Sequence, residues 1–329
     1  MTDTVRWGVL GAAKFAEGHM APAINAAKGA ALAGLATSSP EKAGPFQAIA
    51  PGLTVYDSYD ALLADPKIDA VYVPLPNHLH VEWTLKALAA GKPVLTEKPI
   101  AMQAGEIDQL IVARDDTGLL AAEAYMIVHH PQWQRARELV QGGAIGDLVF
   151  VDSVFSYDNS SDPGNIRNRP ETGGGSLPDI GVYTFGAARW VTGEEPQRLE
   201  AHIRRENGVD VFSHVTGDFP SFRYSSVTSM RAHPRQYVTF QGREGVITLT
   251  APFNAGVFGQ AELALHRNAH GGGAPSVTVE RWPSVNQYVN QVETFGRSIQ
   301  EGMPYPWRLE DAKGTQAMID MAFAAERGN

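Results

Sequence analysis

The rhythm of the first third of this chain constrains its fold more than any other feature: short apolar runs that suit β-strands alternate with stretches of helical periodicity. Arg6–Leu10, Ala31–Thr37, Val55–Tyr56, Ala70–Val73, Val94–Thr96 and Leu119–Ala124 read as strands. Phe15–Lys28, a short segment from the cap Ser58 to Leu63, His78–Ala90 closed by Gly91, and Ala104–Asp116 read as helices between them. Parallel strands need such helical crossovers, so the pattern predicts a doubly wound, mostly parallel sheet: an α/β Rossmann domain over residues 1–123. After Tyr125 the pattern changes. A helix at Gln132–Gln141 leads into strands at Leu148–Ser156, Arg198–Glu206, Val211–Thr216, Ser226–Arg231, Tyr237–Gln241, Val246–Leu249, Glu262–His266 and Val277–Arg281. Strands in succession with short turns predict an α+β domain over 124–329, with a large, mostly antiparallel open sheet. Helices at Val285–Gln300 and Leu309–Glu326 close the chain, the second expected to pack back on the first domain. His270-Gly271-Gly272-Gly273 reads as a flexible hairpin tip.

A chain of 329 residues exceeds what one ordinary core organises, in keeping with two domains. Its 36 acidic against 27 basic residues leave no cationic excess to release counterions from a phosphate backbone, which argues against nucleic acid as a partner. With no cysteine, disulfides, thiolate nucleophiles and sulfur-ligated metals drop out. Met1–Arg6 lack a basic-then-apolar signal pattern, and no run reaches the ~18 apolar residues of a membrane span. A cytoplasmic protein without a membrane partner is therefore expected.

Gly8-Val9-Leu10-Gly11-Ala12-Ala13-Lys14-Phe15-Ala16 joins the first strand to the first helix. A dinucleotide needs a tight turn there, so that backbone N–H groups reach the pyrophosphate. Gly11 supplies the first glycine of that turn, while Ala13 and Ala16 stand where further glycines usually lie; the run would also serve as a plain strand–turn–helix. At the end of the second strand, where NAD sites place a carboxylate, the chain has Thr37-Ser38-Ser39-Pro40-Glu41-Lys42. Ser38, Ser39 and Lys42 suit a 2′-phosphate and favour NADP, with NAD as the alternative. Ser39 as a helix cap before Pro40 is compatible with either.

Leu75-Pro76-Asn77-His78-Leu79-His80 and Thr96-Glu97-Lys98-Pro99 follow the fourth and fifth strands, whose carboxyl ends line the crevice of an open sheet. Asn77 could equally cap the helix, and Lys98 taken singly reads as a surface lysine. Further on stand Asn165-Ile166-Arg167, a triple glycine at Gly173-Gly174-Gly175, and Asp179-Ile180-Gly181-Val182-Tyr183. The glycines allow close approach of a backbone or a ligand, and a helix starting near Leu177 would put Asp179 and Tyr183 on one face. An ammonium beside a phenol in a dry cleft lowers the phenol from its ordinary ~10, so Tyr183 with a lysine makes a workable acid–base pair. Tyr183 taken alone reads as packing.

Together these motifs resemble the glucose–fructose oxidoreductase, inositol dehydrogenase and MocA (Gfo/Idh/MocA) family over essentially the whole chain. The most specific marks are Glu97-Lys98-Pro99 and the triple glycine ahead of Asp179–Tyr183. Asn165-Ile166-Arg167, with Tyr183 rather than His closing the last motif, is similar to the branch of NADP-dependent D-xylose dehydrogenases and dihydrodiol dehydrogenases. The resemblance implies that Lys98 contacts the reacting oxygen and the nicotinamide ribose, that Tyr183 transfers the proton and that Asp179 orients the substrate hydroxyl. It puts Asn77 and His80 at the nicotinamide end with Glu97 close by, and Ser38 and Lys42 on the 2′-phosphate. Gly11, Ala12, Ala13, Lys14, Phe15, Ser39, Leu75 and Pro76 complete the expected cofactor set; Tyr125, Asn165 and Arg167 complete the substrate set. Ile127 and Val128 depart from the branch, which often has an aromatic and an arginine there, and imply a less polar pocket that suits a modified or anhydro sugar as well as a simple one.

The expected reaction is hydride transfer between a nicotinamide and a carbinol or carbonyl carbon of a sugar, as in an aldose 1-dehydrogenase. A reductase of keto or anhydro sugars and a dihydrodiol dehydrogenase are the alternatives. A non-catalytic NADP-binding sensor is the reading from another class, and it has no use for Lys98, Asp179 and Tyr183 together. No metal is expected, because His129 and His130 are adjacent and would point apart on a helix. A homodimer or homotetramer through the open face of the second sheet follows from the resemblance.

Overall fold

The structure, a computed structural model, describes residues 4–267 and 274–326; the glycine run His270–Gly273 lies outside them. The chain divides into two compact units, Met1–His129 with Asn286–Ala312, and His130–Val285 with Lys313–Asn329. Segment 286–312, which the sequence reading leaves with the second domain, thus belongs with the first unit.

The first unit is built on β1 (Val5–Leu10), β2 (Ala30–Ala36), β3 (Thr54–Tyr56), β4 (Ala70–Val73), β5 (Val94–Thr96) and β6 (Ala121–Glu123). All pair in parallel, in the order β3-β2-β1-β4-β5-β6, as the sequence rhythm predicts. Strand order reverses between β1 and β4, which opens a crevice at their carboxyl ends. The helices are α1 (Ala21–Ala26, continuing a π-type turn Ala16–Met20), α2 (Gly44–Ile49), α3 (Tyr59–Ala64), α4 (His80–Ala89) and α5 (Ile107–Thr117). Ala-Val-Tyr-Val of β4 is wholly buried, as a central strand covered on both faces must be. Leu10, Leu62, Val71, Leu88, Val94 and Leu110 form the core around it, joined by Leu309 and Ala312.

The second unit opens with α6 (Pro131–Gln141), β7 (Leu148–Asp158) and α7 (Val182–Thr192). Its remaining strands are β8 (Arg198–Glu206), β9 (Val209–Asp218), β10 (Arg223–Ser229), β11 (Arg231–Gly242), β12 (Gly245–Leu249), β13 (Ala261–Arg267) and β14 (Ser276–Trp282). The eight strands run β14-β13-β12-β11-β7-β10-β9-β8, antiparallel except for β7 with β10. On β9, Val209, Val211, Ser213 and Val215 are buried while His214 is exposed and Phe212 and Thr216 are half-buried, so one face of the sheet is packed and the other open. β11 is longer than the expected Tyr237–Gln241. Its register on β7 shifts between Arg231 and Arg235, around Pro234, and that irregularity hides the early residues from a period-2 reading. The chain closes with α8 (Gln287–Glu301) and α9 (Leu309–Ala324). Among the described residues no helix is long and apolar enough to cross a membrane, and no cluster of three or more His, Asp or Glu has metal-binding geometry.

Candidate active site

At the end of β1 the chain turns through Gly11, whose φ of +100° favours glycine. A Cβ there would meet the Leu75 methyl at 3.0 Å and the Tyr59 hydroxyl at 3.3 Å. Gly11 N donates to Ala36 O at 2.9 Å, tying the turn to β2. Helical structure begins at Lys14, directly after Ala12 and Ala13, whose side chains have no atom with which to cap it. Its first N–H groups are therefore suited to an anion. Ala12 and Ala13 are half-buried and Lys14 is exposed. Phe15 lies 5.0 Å from His19 and 5.7 Å from Tyr288 at the start of α8.

The end of β2 carries no carboxylate, and Ser38 and Lys42 are both exposed beyond it. Thr37 Oγ1 accepts from Ser39 N and Ser39 O accepts from Lys42 N, so the backbone curls under these side chains. Ser39 stands at the N-cap position before Pro40 but makes no side-chain cap bond. Its hydroxyl instead helps hold the Glu41 carboxyl below its usual range, after Glu41's own backbone N–H. Uncapped amides, a turn that favours glycine, and a strand end offering hydroxyls and a lysine fit a dinucleotide bearing a 2′-phosphate.

Beyond β4, Leu75 is buried while Pro76 and Asn77 are half-buried; Asn77 opens a 3₁₀ turn, Asn77–Leu79, and is not its cap. Beyond β5, Glu97 and Lys98 are half-buried and the Lys98–Pro99 peptide is cis. Glu97 Oε1 accepts from Tyr72 Oη at 2.6 Å, and Oε2 from Lys98 N at 3.2 Å. Behind this turn, Glu123 at the end of β6 accepts from Ile100 N at 2.9 Å and from Trp307 Nε1 at 2.8 Å.

Two expected ligand contacts are placed elsewhere. His80 is wholly buried, with Nδ1 2.7 Å from Pro99 O and Nε2 2.7 Å from Leu75 O. Burial pushes it down to about 4 against the pull of both carbonyls, so near neutrality the ring is uncharged and donates to one of them. It clamps the Leu75 and Pro99 loops together and presents no atom to a cofactor. Tyr125, expected beside the substrate, is also wholly buried and stacks on Trp307 with ring centroids 4.1 Å apart. Ile127 and Val128, expected to make a pocket wall less polar, lie buried in a 3₁₀ turn.

In the second unit, a π-type turn Leu177–Gly181 runs into α7, which carries Tyr183 in its first turn. Asp179 Oδ2 accepts from Tyr157 Oη at 2.6 Å and Oδ1 from Arg167 Nε at 2.9 Å. Asp179 holds the guanidinium firmly protonated, and Tyr183 acts in the same direction. Burial, and then the Asp179 charge, push the Tyr157 phenol far up, so it is a donor throughout the working pH range. Tyr183 is 5% exposed and packs against Phe155 and Phe253, with ring centroids at 5.8 and 5.7 Å. Asn165 accepts from Arg167 N and donates to Asp162, so its amide is engaged within its own loop.

The glycines serve packing. A Cβ on Gly174 would fall 2.4 Å from Arg167 O, and one on Gly175, where φ is +134°, within 2.0 Å of Asp210 Oδ1. Asp210 accepts from Ser176 Oγ at 2.8 Å and Leu177 N at 2.7 Å; burial pushes it up to about 6 against both donors. Tyr72, Glu123, Tyr157 and Asp210 were not anticipated. Glu123 had a signal, being the only charged residue between Leu119 and Val128.

Residues 5–125 match an oxidoreductase family with an NAD-binding Rossmann fold (GFO/IDH/MocA), and residues 133–248 match that family's C-terminal domain. The chain is 37% identical to an uncharacterized oxidoreductase, ORF334, of Rhizobium meliloti, over 99% of this chain and 98% of that one. It is 33% identical to D-xylose 1-dehydrogenase (NADP(+)) 2 of Haloferax volcanii, over 98% of each. Among solved structures it is similar to KijD10, a 3-ketoreductase from Actinomadura kijaniata in complex with NADP and TDP-benzene. The TM-score is 0.88 and the identity 28%, covering 99% of this chain and 98% of that one.

Proposed function

The chain belongs to the Gfo/Idh/MocA family of oxidoreductases, and on that premise we propose that it is an NADP-dependent dehydrogenase acting on a CH–OH group of a sugar or sugar derivative. One observation carries the reading. Gly11, Asn77 and Lys98 stand at the carboxyl ends of β1, β4 and β5, on the one edge of the sheet where an open α/β fold takes its ligand. Backbone groups of Gly11, Ala12, Ala13, Lys14 and Phe15 would hold the pyrophosphate, Ser38 and Lys42 the 2′-phosphate, and Asn77 the nicotinamide end. When bound, the dinucleotide accepts or supplies the hydride.

In the oxidising direction Tyr183 takes the proton of the substrate hydroxyl while the Lys98 ammonium stabilises the oxyanion that develops. Asp179 orients that hydroxyl, and the Arg167 cation it retains favours the phenolate of Tyr183. In the reducing direction the same phenol returns the proton to a carbonyl oxygen. Reduction of a keto group on a nucleotide-linked sugar is the second reading, favoured by the full-length likeness to a ketoreductase solved with TDP-benzene. A cytoplasmic homodimer or homotetramer completes the proposal, the open sheet face with His214 and His202 exposed on it serving as interface.

The test is a panel of aldoses, anhydro sugars, dihydrodiols and nucleotide-linked keto sugars, followed at the reduced nicotinamide absorbance with NADP and NAD in turn. Tyr183→Phe is expected to lower turnover by ~10²-fold or more and leave NADP affinity within about twofold. Unchanged turnover would remove Tyr183 as the proton carrier. NADP binding with no turnover of any compound would favour the sensor.

A further inference from the structure

We propose that Glu123 is a positioning residue for Lys98, its buried carboxylate pinning the Lys98–Pro99–Ile100 turn and, through its own protonation, setting the acidic limb of the reaction's pH profile. The inference rests on the reading of Lys98 as the oxyanion-stabilising group. Glu123 closes β6 at 2% exposure, and both of its oxygens face donors: Ile100 N, two residues beyond Lys98, and the indole of Trp307. Trp307 is itself fixed by stacking on Tyr125. The turn is also held by the Glu97 carboxylate on Lys98 N, by His80 against Pro99 O and by the Thr84–Thr96 hydroxyl pair under β5. Of the two carboxylates on the turn, Glu123 is the buried one, and its two bonds are the ties that burial makes sensitive to charge.

The charged and titratable groups facing it are Glu97 and Lys98 from the turn after β5, and Tyr305 from the segment before α9. Burial pushes Glu123 up to about 7 and Glu97 adds to this, while the Ile100 and Trp307 N–H groups and the Lys98 charge oppose it. Ionised, the carboxylate accepts both N–H groups. Protonated, it must turn an O–H toward one of two donors and so loses one of the two bonds. Acidification through neutrality thereby slackens the turn that presents Lys98.

The experiment compares kcat/KM against pH for the wild type, Glu123→Gln and Trp307→Phe, with an infrared titration of the dinucleotide-free proteins alongside. The wild type is expected to show an acidic limb near pH 7 and a carboxyl band that disappears over the same range. In E123Q both vanish, and the plateau at higher pH falls about five- to tenfold, the worth of one lost hydrogen bond. In W307F the limb moves to higher pH, because a donor to the ionised form is gone. A limb unchanged in E123Q overturns the proposal, as does the absence of a Glu123-dependent band. Should E123Q fail to fold, an unmoved limb in W307F decides against it. If no compound turns over, the functional reading fails and the infrared titration still decides on Glu123.

Discussion

Replacing Gly175 by alanine tests whether the triple glycine serves packing rather than ligand approach. The backbone there has φ +134°, and the added methyl would stand 2.0 Å from Asp210 Oδ1. Two costs follow. Holding a residue with a Cβ in that region costs ~1–3 kcal/mol. Displacing the Asp210 carboxylate breaks at least one of its bonds, to Ser176 Oγ or Leu177 N, at ~1.5–3 kcal/mol for a buried charged acceptor. The expected loss is therefore about 3–6 kcal/mol, a large share of a typical domain's stability. Gly193 is the control in the same unit, since it ends α7 at φ +75° with nothing within 4 Å of its Cβ position. Gly193→Ala should show the backbone cost alone, about 1–2 kcal/mol. Urea unfolding followed by tryptophan fluorescence and circular dichroism measures both. Combining Gly175→Ala with Asp210→Ala should cost less than the sum of the single losses, because the clash is removed once. Equal losses for the Gly175 and Gly193 variants would refute the reasoning.

Lys42→Ala should weaken NADP by about five- to twentyfold in a fluorescence titration and NAD by less than about twofold, since only the 2′-phosphate needs that cation; equal losses would overturn the cofactor preference. Acid stability of the first unit follows from buried groups of opposite sign. Burial lowers His80 to about 4 and His129 to about 3, so the stability they contribute is present above their unfolded ~6.5 and is lost as pH falls below it. Glu123, raised to about 7, favours the folded state increasingly as pH falls from there toward ~4.5 and so offsets one histidine. Glu123→Gln should therefore steepen the loss between pH 6.5 and 4.5 by about 1.4 kcal/mol per pH unit in denaturant midpoints, and a parallel wild-type slope would count against this.

The candidate residues Gly11, Lys98, Asp179 and Tyr183 stand out in the sequence because their residue types and positions are demanded together by the chemistry proposed for them. Gly11 must turn tightly at a strand end, Lys98 must follow a strand that opens on the crevice, and Asp179 and Tyr183 share a helical stretch. The ligand contacts expected of His80 and Tyr125 come from the resemblance alone. Linear position does not say toward which side a ring turns. Four residues after Pro76 a helical side chain can face the crevice or the core, and His80 faces two carbonyls. Tyr125 likewise takes its orientation from Trp307, far along the chain, and no local pattern carries that information. Tyr157 was hidden for a related reason, since its role depends on a strand lying beneath the turn that holds Asp179.

The supports that were missed share one physical design. In the first unit Glu123 accepts one backbone N–H, from Ile100, and one side-chain donor, from Trp307; in the second, Asp210 accepts from Leu177 N and Ser176 Oγ. Each carboxylate grips the chain two residues from a group assigned to the reaction, Lys98 or Asp179. Burial drives both toward neutrality, to about 7 and about 6. At Glu123 the two donors sit on different oxygens, so an amide of the same shape would turn its NH2 toward one of them, whereas at Asp210 both donors reach Oδ2 and an asparagine oxygen could accept both. Glu123→Gln would therefore relieve desolvation and yet leave a donor beneath the Lys98 turn without its acceptor, while Asp210→Asn keeps an acceptor for both of its donors. The charge at Glu123 thus imposes a geometry on its turn that a neutral amide cannot, at a cost in desolvation, and in each unit the buried acid stands one short turn away from the candidate chemistry.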